Sequence, residues 1–285
     1  MSNRSGKIDL HIHSTVSDGT DEPQLLLKIV KEAGITAFSV TDHDAVKSGQ
    51  IIKKMLKKDD PLFIPGVEFS SKDELGRYHI LGYGFDPDAK PLHDLVSYSH
   101  KLRMEKTRSR MEKLKTDFDV SFPEHEIKRL FSLDNPGKPH IGNLIVKYGY
   151  AKTKEEAFGK YIDKIRLHSE SVLPQKVISS ILAGGGVPVL AHPLFGNGSD
   201  RLTVEEMEQR LRRLIDCGLQ GVEAFYSGFS PEQSSDMLSL AEKYDLYVTA
   251  GSDYHGTNKK IPIGKTGLDE ALDYPEGMER FLSLF

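Results

Sequence analysis

A single cysteine, Cys217, is all the chain has, so no intrachain disulfide can form and a reducing environment is expected. No apolar run approaches the roughly 18 residues that a bilayer-spanning helix needs. The first residues, MSNRSGKIDLHIH, carry no hydrophobic signal segment, and a cytoplasmic location without membrane contact is the expectation. Net positive charge is also missing. The formal charge is −4, so no global basic field exists to hold long DNA, and a nucleic-acid-like substrate would have to meet a local patch. The one glycine run, at 184–186, lacks the Lys-Ser/Thr ending of a phosphate-binding loop. Tryptophan is absent, and that absence excludes no function. What remains is 285 residues, enough for one large α/β domain or a barrel with an insertion. Nothing demands an oligomer, so a monomer is expected.

Strand-like and helix-like stretches alternate. Residues 8–13 put Ile8, Leu10 and Ile12 on one face and Asp9, His11 and His13 on the other. A helix is predicted from Pro23, closed by Gly34, and a strand over 35–41 runs into Thr41-Asp42-His43-Asp44. Further strands are predicted over 62–69 and 77–83. From about Leu92 the chain turns charged and helical, and residues 98–166 read as a helical insertion. The alternation resumes after it, with strands over 187–191, 221–225 and 246–251. Seven strands of βα type favour a parallel barrel formed by 1–97 and 167–285.

Nine potential metal ligands end or closely follow these strands: His11, His13, Asp18, His43, Glu68, His79, His192, Asp253 and His255. Parallel β/α barrels collect their active sites at the C-terminal ends of strands. His11 and His13, at i and i+2, point to the same face and can reach one ion together. Nine ligands are too many for one tetrahedral ion; they suit two or three divalent ions, with Glu68, the only glutamate of the set, as the bridge. Six imidazoles favour Mn²⁺, Fe²⁺ or Zn²⁺ over Mg²⁺, which prefers oxygen ligands. The expected chemistry is hydrolysis by a hydroxide shared between ions.

At these residues the chain resembles the PHP (polymerase and histidinol phosphatase) family, whose motifs read here as His11-Ile12-His13 with Asp18, Thr41-Asp42-His43-Asp44, His192-Pro193, and Ser252-Asp253-Tyr254-His255, with Glu68 and His79 between. The resemblance implies a distorted seven-stranded β/α barrel with a small inserted helical domain and a trinuclear centre. One ion would be held by His11, His13, Glu68 and Asp253, a second by Glu68, His79 and His192, and a third by Asp18, His43 and His255. The insertion is similar to that of phosphoesterases that remove the 3′-phosphate of nucleoside 3′,5′-bisphosphates, some of which trim short RNA from its 5′ end. In that branch it caps the cleft and reads the second phosphate.

Arg103, Arg108, Lys138 and His140 are accordingly expected at the substrate, although a basic run is ordinarily a solvated helix face and His140 can equally cap a helix. Glu223, on a strand, either faces the site as a further candidate for substrate contact or simply hydrogen-bonds nearby. Asp42 and Asp44 flank a ligand histidine and are candidates for orienting it or for the general acid. His93, His100, His125 and His168 are expected at the surface. The leading expectation is a metal-dependent nucleoside 3′,5′-bisphosphate phosphatase. The alternatives are a 5′→3′ exoribonuclease on short RNA, a histidinol-phosphate phosphatase and a non-catalytic metal-binding module.

Overall fold

The computed structural model describes residues 5–167, 169–195, 201–269 and 271–285. β1 (Ile8–Ile12) alternates as predicted, yet all five of its residues are buried. Its polar face therefore looks into a polar interior rather than into solvent. α1 (Pro23–Glu32) starts with Pro23 in its first turn, where a missing N–H costs no intrahelical bond. Next come β2 (Ala37–Val40), α2 (Lys47–Lys53), β3 (Leu62–Phe63), β4 (Gly66–Lys72) and β5 (Arg77–Tyr83). Four helices follow in succession, α3 (Lys90–Phe118), α4 (Glu124–Phe131), α5 (Lys138–Lys147) and α6 (Lys154–Lys160). The alternation returns with α7 (Pro174–Ala183), β6 (Val187–Leu190), α8 (Val204–Asp216), β7 (Gly221–Tyr226), α9 (Pro231–Lys243), β8 (Tyr247–Gly251) and α10 (Glu276–Leu282). No helix among the described residues is long and apolar enough to cross a membrane.

The α/β architecture agrees with expectation, but the strands form two sheets, β1-β2-β3 and β4-β5-β6-β7-β8, where one parallel set of seven was predicted. Two local causes account for the difference. Pro65 cannot donate to a ladder, and the predicted strand over 62–69 divides there into β3 and β4. β4 and β5 are joined by a tight turn in which Asp73 Oδ1 accepts from the N–H groups of Leu75 (2.9 Å) and Gly76 (3.2 Å). A turn so short permits only antiparallel pairing, because a parallel pair needs a crossover of a dozen or more residues. β5 is thus antiparallel to both β4 and β6. The reversal brings His79, near the start of β5, to the end of β4. Two backbone bridges, Ile12↔Tyr254 and His43↔Glu68, join the sheets beside the candidate ligands.

The main apolar cluster lies between the larger sheet and its helices, with Phe69, Ile80, Tyr83, Val189 and Val222 fully or almost fully buried. A second, of Leu114, Ile141, Ile145 and Ile162, belongs to the four-helix run. α3 feeds both, giving Leu92, Leu95 and Leu102 to the first and Leu114 to the second. It passes without a break through position 98, where the sequence reading set the edge of the insertion.

A candidate metal centre

All nine predicted ligands converge. Glu68 is the hub, 1% exposed. Its Oε2 lies 2.9 Å from His43 Nδ1, 3.3 Å from His13 Nε2 and 3.4 Å from His11 Nε2. Its Oε1 lies 2.8 Å from His79 Nδ1 and 3.3 Å from His192 Nε2. Asp253 Oδ1 stands 3.3 Å from both His13 Nε2 and His255 Nδ1, and Asp18 Oδ1 is 3.3 Å from His255 Nε2. Three groups are close enough to share an ion each: His13, Asp18, His43 and His255; His11, His13 and Asp253; and His43, Glu68 and His79. A cavity of about 410 Å³ opens over the assembly, lined by six of these residues together with Phe195, Tyr226, Gly228 and Lys259.

Divalent ions suit this cluster by a test that does not depend on resemblance. His11 Nε2, His13 Nε2, His43 Nδ1 and Glu68 Oε2 are buried and make no hydrogen bond. The three imidazole nitrogens lie 2.9–3.4 Å from Glu68 Oε2 without meeting the geometry of a hydrogen bond. Orphaned buried polar atoms are rare and costly, and lone pairs gathered in this way suit a cation. The electrostatics agree. Burial opposes charge on Glu68, but the imidazoles of His43, His79 and His11 outweigh it and hold the carboxyl well below its ordinary range. Asp18 and Asp253 are likewise depressed against burial, chiefly by His43 and His255 for the former and by Lys259 and His11 for the latter. Burial also opposes charge on His11, yet Glu223, Glu68 and Asp253 drive its pKa well above 6.5.

Carboxylates behind the ligands set their orientation. Glu223 is fully buried. Its Oε1 is 3.0 Å from His11 Nδ1, and its Oε2 accepts the His192 N–H at 2.7 Å. It therefore bonds two candidate ligands from behind and is not among the residues lining the cavity, the hydrogen-bonding alternative of the two that its strand position left open. Asp42 accepts from Ser14 N (2.8 Å), Ser14 Oγ (2.5 Å) and Ser17 Oγ (2.6 Å), pinning the 14–18 loop that carries Asp18. Asp44 accepts from Ser70 N (3.2 Å) and from Arg103 Nη2 and Nε (2.6 and 2.9 Å). Both aspartates are engaged as acceptors and neither is among the residues lining the cavity, which is the arrangement expected of groups that position their neighbours. Asp44, His192 and Asp253 hold positive φ angles of 51°, 29° and 55°. Such backbone costs on the order of 1–3 kcal/mol per residue and persists where surrounding bonds fix it, here around the ligands.

The insertion residues divide. Arg103 reaches the site through Asp44. Arg108 is exposed and stacks on Phe131, 4.6 Å from its centroid, so it does not face the site. The reason is helical period: five residues on from Arg103 is the wrong face, whereas i+3 and i+7 are Lys106 and Arg110. Lys106 and Arg110 are each half-buried. Burial, reinforced by Arg103 and Arg77, pushes Arg110 down to about 10. Lys138 pairs with Asp163 at 3.1 Å beside Arg110 and Arg77. His140 Nδ1 accepts the Gly137 N–H at 3.1 Å, the capping role, while its ring feels Asp18 and Arg103. His93 and His125 are exposed, His100 is half-buried 3.4 Å from Asn135 Oδ1, and His168 lies outside the described residues.

Several residues were not singled out in the sequence. Asp9 is fully buried and accepts from Ser252 N and Oγ (2.9 and 2.6 Å) and Gly264 N (2.7 Å). Its place on the same strand face as His11 and His13 could have revealed it. Asn135 donates to the His43 carbonyl. Asn258 Nδ2 donates to the Asp18 carbonyl at 2.6 Å. Neither asparagine carries a sequence signal, and nor do Tyr226 and Lys259 beside Asp253.

Buried imidazoles and carboxylates with ligand atoms within 4.8 Å of one another, under an open cavity, could hold divalent ions. The chain belongs to the PHP domain family, whose profile matches residues 9–168, more than half of its length. It is 26% identical over 286 residues to the 5′-3′ exoribonuclease Rnm of Salmonella typhimurium, covering 94% of each protein. It is 24% identical over 253 residues to the 3′,5′-nucleoside bisphosphate phosphatase of Chromobacterium violaceum, covering 87% of each. A solved structure from Bifidobacterium adolescentis, assigned to the metal-dependent phosphoesterases, superposes with a TM-score of 0.82 at 25% identity, over 97% of this chain and 95% of that one.

Proposed function

We propose that this phosphoesterase removes the 3′-phosphate of nucleoside 3′,5′-bisphosphates. The P–O3′ bond breaks, water supplies the new oxygen, and the products are the nucleoside 5′-monophosphate and inorganic phosphate. One observation carries the reading: a stripe of guanidinium and ammonium groups, Arg103, Lys106 and Arg110 on α3, with Lys138 and Arg77 beside them, runs outward from Asp44. Arg103 pairs with Asp44 and Lys138 with Asp163, while Lys106 and Arg110 are in no ion pair among the described residues, so cations outnumber carboxylates along the stripe. A second phosphate, presented while the 3′-phosphate is at the metal centre, supplies negative charge there.

The nine candidate ligands would hold the ions. When bound, the ions supply Lewis acidity and a nucleophile from water at neutral pH. Mn²⁺, Fe²⁺ or Zn²⁺ matches six imidazoles better than Mg²⁺ does. Residues 98–166 form the cap that reads the second phosphate. Arg103 is held by Asp44 through Nε and Nη2, which leaves Nη1 beside Gly137, where a Cβ would stand 3.1 Å from it. Likeness to the exoribonuclease supports a second reading, scission of the same P–O3′ bond at the 5′ end of short RNA.

The test is phosphate release with Mn²⁺ from adenosine 3′,5′-bisphosphate, 3′-AMP, 5′-AMP and histidinol phosphate. At least a tenfold preference for the bisphosphate is expected, from roughly 1.5–3 kcal/mol per charge-assisted contact. Equal or absent activity on all four rejects the reading. Release of 5′-AMP from a 5′-phosphorylated diadenosine instead establishes the second.

A further inference from the structure

Lys259 is the one cation lining the cavity among the described residues. It follows the short 3-10 turn after His255, four residues past a candidate ligand, and is about one-third exposed, 34%. Its Nζ donates to Asp253 Oδ2 and lies 3.1 Å from the Tyr226 hydroxyl, 5.4 Å from that ring's centroid.

Asp253 divides its two oxygens. Oδ1 faces the imidazoles, 3.3 Å from His13 Nε2 and from His255 Nδ1. Oδ2 faces the cavity side, where it accepts the Tyr226 hydroxyl at 3.0 Å as well as the ammonium. Tyr226 is buried and packed against His192 and Phe229, so it can hold Oδ2 by itself. An ion among the imidazoles would stand across one carboxylate from the ammonium, and like charges so placed repel. The lysine stem is long and flexible, and its head already borders the space a phosphoryl group must enter.

We propose that Lys259 is a substrate-gripping cation, which rests on Asp253 in the free protein and turns to a phosphoryl oxygen of the bound phosphoester. This rests on the phosphoesterase reading. It differs from an anchoring role in sign: an anchor for Asp253 strengthens metal binding, whereas a like charge beside the ion weakens it while strengthening anion binding.

The experiment is calorimetric titration of Mn²⁺ into the metal-free protein, then of inorganic phosphate into the Mn²⁺-loaded protein, for the parent and for Lys259→Met. The expected result is phosphate affinity at least tenfold weaker, with Mn²⁺ affinity unchanged or higher, and near-parental phosphate affinity in Lys259→Arg. Tenfold weaker Mn²⁺ binding with phosphate affinity intact would make the lysine an anchor only and overturn the proposal, as would no change in either. A parent that binds neither Mn²⁺ nor phosphate overturns the phosphoesterase reading with it. If Lys259→Met does not fold, Lys259→Gln removes the charge while keeping a donor for Asp253 and carries the same test.

Discussion

The metal centre and the basic stripe of α3 are built from opposite materials over opposite spans of sequence. The centre gathers carboxylates and imidazoles from His11 to His255. It buries them, leaves four of their polar atoms without partners, and holds three of its backbone positions at positive φ. The stripe takes Arg103, Lys106 and Arg110 from one helix at i, i+3 and i+7 and needs nothing beyond helical period. A centre that depends on the whole fold responds sharply to the carboxylates that position it. A local stripe responds in graded fashion to each charge removed.

The largest effect is expected from Glu68→Ala, which removes the hub and should lower turnover by on the order of 10³ or more, since bound ions contribute several kcal/mol to such reactions. Atomic emission should show fewer ions per chain, and full metal content with full activity would dissolve the contrast. Glu223→Gln should keep the fold, read by circular dichroism, but weaken metal binding by roughly 10–100-fold, as loss of an orienting carboxylate does. On the other side of the comparison, Arg110→Ala should raise KM for the bisphosphate by about tenfold, for one charge-assisted contact, and leave 3′-AMP kinetics unchanged. Equal loss on both substrates would merge stripe and centre into one site.

Acidity separates the regions further. His11 and His13 have raised pKa values, so their protonated forms stabilise the metal-free fold. That contribution is complete below about 6.5, the ordinary imidazole value, and is lost as pH rises through the raised folded-state values. Asp18, Glu68 and Asp253 are depressed. Their contribution is present above the ordinary carboxylate range and is lost as pH falls through the depressed values. The metal-free protein should therefore melt at a higher temperature near about pH 5.5 than near about pH 8.5, and Mn²⁺ should stabilise it more at the higher pH, because metal binds neutral imidazole. Melting curves at the two pH values, with and without Mn²⁺, decide this; a metal-free melting point that climbs with pH contradicts the pairing. The smallest effect belongs to Arg108→Ala, at most about 1 kcal/mol for an exposed cation–π contact, with no change in either KM.

Much of the centre was readable because its ligands sit beside their strands in the chain. The polar parity of β1 announced His11 and His13, and should have announced Asp9. The basic run was harder to read: it names its charges but not its face, and helical period sets Lys106 and Arg110, rather than Arg108, on the face of Arg103. Glu223 was recognised as a candidate, but its role depends on which side of the strand the imidazoles approach.

The sequence by itself determined the nine candidate ligands, the α/β alternation and the helical run between its halves, because each is a local matter of period and residue type. Only the tertiary structure decided that β5 runs backwards, that Asp42 holds a loop while Asp44 holds an arginine, and that Lys259 and Tyr226 share Asp253. Those outcomes depend on contacts between residues far apart in the chain, and side-chain direction is fixed only once the strands have paired.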